Sequence, residues 1–135
     1  MTKNNLMALA IEARTKAYSP YSNYQVGAAL LCEDGSTFCG CNIENASYGL
    51  SMCAERVALY QAIAQGKRQF KAIAITGSGN DLATPCGACR QVMAEFAPEM
   101  TVYIDHPAEG RIITTTVEAL LPYPFLLTEK NEVKK

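Results

Sequence analysis

Three cysteines and one glutamate stand where they could do chemistry together. Cys86 and Cys89 lie three apart in "TPCGACRQV" (84–92), at the start of a predicted helix, where residues i and i+3 are neighbours. A helix N-terminus favours the thiolate, which is the form that binds metal. Cys53 opens a second predicted helix in "SMCAER" (51–56), and Glu55 follows two residues on. Positions i and i+2 do not share a helix face, so Cys53 must project over the helix end for both groups to reach one site. The chain then reads C-x-E, a spacer over 56–84, and P-C-x-x-C. Three thiolates would leave the fourth position of a tetrahedral zinc open for water, as a catalytic site requires. Three other readings stand beside this one: a thioredoxin-like redox pair, a four-cysteine structural site recruiting Cys39 or Cys41, and a cysteine pair that merely packs. The redox reading leaves Cys53 unexplained.

The compound pattern matches the signature of zinc deaminases, with cysteine in the position more often held by histidine. A zinc ion with three thiolates carries a net negative charge, which weakens its hold on a bound hydroxide. Positive charge must compensate. The two helix N-termini supply part of it, and Arg56, adjacent to the acid, is the side-chain candidate. Gln91 is a second candidate donor to a ligand. Cys32, Cys39 and Cys41 read more simply as small core residues. The single histidine, His106, is a remote possibility as a ligand.

The elements that must position these groups follow from periodicity. Leu6, Leu9, Ala10, Ala13 and Ala17 recur at helical spacing, predicting an amphipathic helix over 4–18. "VGAALLCEDGSTFCGCNI" (26–43) reads as two strands around Asp34-Gly35, a hairpin signal. A helix is expected from Cys53 to Gln65, with Gly66 as its C-cap. A buried strand follows over 71–78, then a helix from Cys86 to Ala97 that Pro98 stops. Strands over 100–105 and 110–117 complete the order, which fits an α/β sandwich. Right-handed crossovers would make strands one, three and four parallel. Only "HPAE" separates strands four and five, too short for a parallel return, so strand five is expected antiparallel to strand four.

Bulk composition sets limits on function. A chain of 135 residues is the size of one domain with a real core. The expected division is a single domain over 1–127 and a charged, mobile tail over 128–135. Twelve Lys and Arg against thirteen Asp and Glu give a net charge of −1, so nothing draws the chain to a nucleic-acid backbone. No apolar run approaches the roughly 20 residues of a membrane span. Glu12, Arg14 and Lys16 interrupt the apolar positions near the start, which does not read as a signal peptide. A cytoplasmic protein with reduced thiols is expected, and there metal binding or catalysis outranks a disulfide framework.

"SPYSNYQVGAAL" (19–30), "CNIENASY" (41–48), "CAER" (53–56), "PCGACRQV" (85–92) and "LLPYPF" (120–125) together resemble the short-chain cytidine deaminases. The resemblance covers most of 15–125. It implies a three-layer α/β/α sandwich with a mixed five-stranded sheet, and one Zn2+ per subunit held by Cys53, Cys86 and Cys89. It further implies hydrolytic conversion of cytidine or deoxycytidine to uridine or deoxyuridine in pyrimidine salvage. In that chemistry zinc-activated hydroxide attacks C4, and Glu55 moves the water proton to N3 and then to the departing amine. A homotetramer with active sites shared between subunits is implied as well. Asn42 and Glu44, two apart in an extended stretch, point to one side, and the resemblance places them with Ile43 at the nucleoside and its ribose 3′-OH. Tyr24 becomes the aromatic against the base, where many relatives carry Phe. Ala54 offers its backbone N–H to the base, and Phe125 covers a neighbouring subunit's pocket. A blasticidin-type deaminase shares the zinc motifs but matches "NIEN" less well. A nucleic-acid editing enzyme would want a basic surface, and a non-catalytic zinc module has no use for Glu55.

Overall fold

The computed structural model describes residues 1–127, so the tail expected over 128–135 lies outside the described residues. Helix α1 (Lys3–Arg14) starts at Thr2, whose hydroxyl accepts from the Asn5 N–H at 3.1 Å. Its buried stripe is Leu6, Met7, Ala10 and Ala13. The helix stops short of residue 18 because the chain there is claimed by another partner. The Tyr18 N–H donates to the Asn42 carbonyl at 3.0 Å, and the Tyr18 carbonyl accepts from Glu44 N–H at 2.8 Å. Pro20 also disfavours a helical conformation at residue 19.

Strands β1 (Val26–Cys32) and β2 (Thr37–Cys41) form the expected hairpin, with Ala29 opposite Cys39. After α2 (Ala54–Ala64) come β3 (Phe70–Gly77), α3 (Gly87–Phe96), β4 (Thr101–His106), β5 (Arg111–Thr116) and the short α4 (Val117–Leu120). The sheet order is β2-β1-β3-β4-β5. β3 and β4 are parallel and β5 is antiparallel to β4, as expected. β1 is antiparallel to β3, which corrects the expectation that strands one, three and four share a direction. The crossover through α2 leaves from β2, not from β1. β3 therefore runs with β2 and lands on the far side of β1, against it.

Strand alternation sorts the core into two layers. Ala29 and Leu31 of β1, with Ala72 and Ala74 of β3, pack on the α1 side against Leu6, Met7 and Ala10. Ala28 and Leu30, with Ile73, Ile75, Val102 and Ile104, pack on the other side against Ala58, Leu59 and Ala62 of α2 and Met93 and Ala94 of α3. Helices thus cover both faces of one mixed sheet, making three layers. Burying a side chain such as Leu59 or Ile73 contributes about 1.5–3 kcal/mol each. This second layer fixes where the N-termini of α2 and α3 lie.

One glycine sets how closely α2 approaches. A Cβ added at Gly40 would lie 2.4 Å from the Ala54 carbonyl oxygen and 2.6 Å from the Ala58 nitrogen. The first turn of α2 rests directly on the backbone of β2.

Candidate active site

Cys53 and Cys86 are the N-cap residues of α2 and α3, both in extended backbone conformation. An N-cap side chain lies over the helix end, so the two helices aim their first cysteines at a common point. Cys89 enters from the first turn of α3 and is fully buried. The Sγ atoms of Cys53, Cys86 and Cys89 all fall within 4.8 Å of one another, and Cys53 and Cys86 are 3.7 Å apart. Zinc–sulfur bonds of about 2.3 Å at tetrahedral angles place two sulfurs roughly 3.8 Å apart, so the donor set fits zinc in chemistry and in spacing.

The electrostatics favour a thiolate at Cys53. Cys53 is lowered to about 5, first by hydrogen bonding from the Cys89 thiol and then by the Arg56 guanidinium. Cys89 is pushed up by the same pairing and by burial. Arg56 Nη2 donates to Cys53 Sγ at 3.4 Å, so the candidate compensating charge sits on a ligand. Its Nε is buried without an acceptor among the described residues.

Glu55 occupies the second position of α2 and is 4 % exposed, the one buried charged side chain among the described residues. Burial raises its carboxyl to about 7, and the neighbouring Cys53 adds to the shift. A carboxyl poised near neutrality both accepts and donates protons at working pH.

Cys53, Cys86 and Glu55 line one cavity of about 250 Å³, together with Tyr24, Val26, Asn42, Glu44, Ser51, Met52, Ala54, Ile75, Ala83 and Thr84. Asn42 and Glu44 reach it from the extended stretch after β2. Asn42 is anchored on both sides: its Oδ1 accepts from Val26 N–H at 2.8 Å and its Nδ2 donates to the Tyr24 carbonyl at 2.8 Å. Glu44 accepts from the backbone N–H groups of Tyr21 and Ser22 at 3.0 and 3.2 Å, and from the Ser22 hydroxyl. Those donors hold its carboxyl below the usual range. Ala54 lies at the first helical position, where an N–H has no intrahelical acceptor.

Three expected site residues sit elsewhere. Ile43 does not line the cavity: strand alternation turns it outward, 46 % exposed, while its backbone pairs with Met52. Gln91 reaches no thiolate; its Nε2 donates to the Phe125 carbonyl at 2.8 Å. Phe125 is 72 % exposed and absent from the cavity lining of its own chain. Cys39 belongs to the α1 side of the sheet, opposite the metal ligands, and Cys41 lines the same groove. Neither joins the metal cluster among the described residues, which disposes of the four-cysteine site. His106 pairs with Glu109 at 3.4 Å, away from the cysteines. The sequence reading missed Ser22, whose hydroxyl orients Glu44, and the lining residues Thr84 and Ser51, for which no local signal exists.

Three converging thiolates under two helix ends, with a buried carboxyl in the same cavity, define a zinc-dependent hydrolytic deaminase. Residues 1–105 match the family described as "Cytidine and deoxycytidylate deaminase zinc-binding region". The chain is 50% identical over 133 residues to a cytidine deaminase of Halalkalibacterium halodurans, covering 98% of this chain and 100% of that protein. It is 48% identical over 126 residues to a cytidine deaminase of Sporosarcina psychrophila, covering 93% and 92%. Its fold superposes on the crystal structure of cytidine deaminase from Burkholderia pseudomallei with a TM-score of 0.88 and 50% identity, covering 93% of this chain and 100% of that one. The chain belongs to the cytidine and deoxycytidylate deaminase zinc-binding family.

Proposed function

We propose that the protein hydrolyses cytidine and deoxycytidine to uridine and deoxyuridine, releasing ammonia. The observation that carries this reading is Glu55, buried in the cavity that the metal-binding thiolates line. Zinc held by Cys53, Cys86 and Cys89 would lower the pKa of an attacking water to about 7. Glu55 takes one proton from that water and passes it to N3 of the base as C4 is attacked. It then takes the second proton, from the new C4 hydroxyl, and delivers it to the 4-amino group, which leaves as ammonia while the C4 carbonyl forms. Arg56, donating to Cys53, offsets the surplus negative charge of the ligand set. The Ala54 N–H at the head of α2 is a donor for the cytosine carbonyl, and the Tyr24 ring flanks the base.

At the other end of the cavity, Glu44 is a fixed acceptor for the ribose 3′-OH, with Asn42 beside it. The anchoring of both before any ligand arrives removes part of the ordering cost of binding. A free nucleoside suits these groups, and the net charge of −1 offers no attraction to a polynucleotide.

The working unit is a homotetramer that shares its active sites. The surface beside the cavity mouth supports this, because Tyr21 and Tyr48, both exposed, line a groove with Glu44 and Ser51, which also line the cavity. Tyr21 and Tyr48 meet edge to face at 6.2 Å, and Tyr48 is 76 % exposed. A patch of this character calls for a covering surface, and Phe125 of a second copy reaches toward a neighbour's pocket. Reduced thiolate ligands suit the cytoplasm, where pyrimidine salvage takes place. The test is loss of the cytidine absorbance band on mixing with zinc-loaded protein, run in parallel with blasticidin. Turnover of blasticidin without cytidine would favour the blasticidin-type reading.

A further inference from the structure

We infer that Gly77 is a positioning residue for the nucleoside pocket, because its missing side chain is the seat of the Tyr24 hydroxyl. This rests on the reading of the cavity as a nucleoside site. A Cβ built on Gly77 would lie 1.9 Å from the Tyr24 hydroxyl oxygen and 2.5 Å from its Cζ. At Gly79 the nearest ring atom is 3.4 Å away, an ordinary contact. The ring therefore lies against the end of β3, with its hydroxyl over Gly77 and its Cε1 edge toward Gly79. Tyr24 also lines the cavity.

Neither wall can retreat. The Tyr24 N–H donates to Ser22 Oγ at 3.0 Å and its carbonyl accepts from Asn42 at 2.8 Å. Gln25 and Ser78 are bonded in both directions, Gln25 N–H to Ser78 Oγ at 3.0 Å and Ser78 N–H to the Gln25 carbonyl at 2.8 Å. On the strand side, Arg14 Nη1 donates to the Gly77 carbonyl at 2.8 Å and to Thr76 Oγ1 at 2.7 Å. Thr76, fully buried, donates in turn to Asp105 at 2.8 Å. With both backbones pinned, a methyl group at 77 leaves the ring only a swing about its own side-chain bonds, off the seat and out of its place beside the base. The Tyr24 ring and glycine at 77 are a matched pair: the hydroxyl oxygen and Cζ both occupy the space that a Cβ would take.

Gly77→Ala, Tyr24→Leu and the double variant test this. Gly77→Ala should raise KM for cytidine about 3- to 10-fold, the size of one lost aromatic contact. Its kcat should stay within a factor of about three and its zinc full, the pattern of lost uniform binding. Its Tm should fall. Adding Tyr24→Leu removes the hydroxyl oxygen at 1.9 Å and the ring Cζ at 2.5 Å, so alanine at 77 should cost no Tm in that background, and the KM of the double variant should match that of Tyr24→Leu alone. A Gly77→Ala protein with wild-type KM and Tm overturns the inference. So does a Tm loss from Gly77→Ala that is as large in the Tyr24→Leu background, since alanine would then be distorting β3 itself. If Gly77→Ala does not fold, recovery of folded, zinc-loaded double variant supports the pairing and its failure contradicts it. A wild type that leaves cytidine unchanged strikes the deaminase reading instead, and the Tm comparison still decides the pairing.

Discussion

Gly40→Ala should damage catalysis without altering any side chain that meets substrate or metal. The added methyl would lie 2.4 Å from the Ala54 carbonyl oxygen and 2.6 Å from the Ala58 nitrogen, both backbone atoms of α2. Backbone cannot swing aside as a side chain can, so the first turn of α2 must shift by about 1 Å to restore ordinary contact. That turn carries Glu55 and Arg56, and Cys53 caps it. A displacement of about 1 Å in catalytic groups costs on the order of 100-fold in rate. Over-packing of this kind also destabilises by about 1–3 kcal/mol, roughly 4–10 °C in Tm for a chain of this size. The assay is kcat on cytidine with zinc content and a thermal melt from the same preparation. A Gly40→Ala protein within threefold of wild-type kcat and with unchanged Tm would refute the claim that contact with β2 sets the position of the catalytic turn.

Three further outcomes are expected. Cys53→Ala, Cys86→Ala and Cys89→Ala should each lose zinc by metal analysis, whereas Cys39→Ala, on the opposite side of the sheet, should keep it. Glu44→Ala should raise KM for cytidine at full zinc content, because its carboxylate is the fixed acceptor at the sugar end; unchanged KM and kcat would remove it from the substrate contacts. Phe125→Ala should raise KM and weaken assembly in sedimentation together, while a fully active wild-type monomer would exclude a shared site.

The chemistry was more legible in the chain than the geometry around it. C-x-E and P-C-x-x-C could be read because both motifs sit at helix starts and carry ligand and acid types at short spacing. The meeting of the two motifs depends on how the sheet places α2 and α3. Alternation placed Asn42 and Glu44 on one side, and the same rule turns Ile43 away. The direction of β1 relative to β3 was not legible in this way: it depends on which strand of the hairpin feeds the crossover. Gln91 meets the carbonyl of Phe125, thirty-four residues on, a pairing that only tertiary packing brings about. The Arg14–Thr76–Asp105 chain likewise joins three elements with no shared motif. Helix α1 ends early because Tyr18 pairs with residues 42–44, and helical periodicity carries no trace of that competition.

The central claim is that Glu55 moves the protons of a zinc-assisted deamination, and its most direct test is kcat of Glu55→Gln on cytidine with zinc measured in the same sample. Glutamine keeps the shape of the side chain but neither accepts nor releases a proton. Full zinc with kcat reduced by about 10²–10⁴-fold is the expected result. Full zinc with more than roughly a tenth of wild-type kcat would contradict it, because the loss would be smaller than general acid–base catalysis contributes.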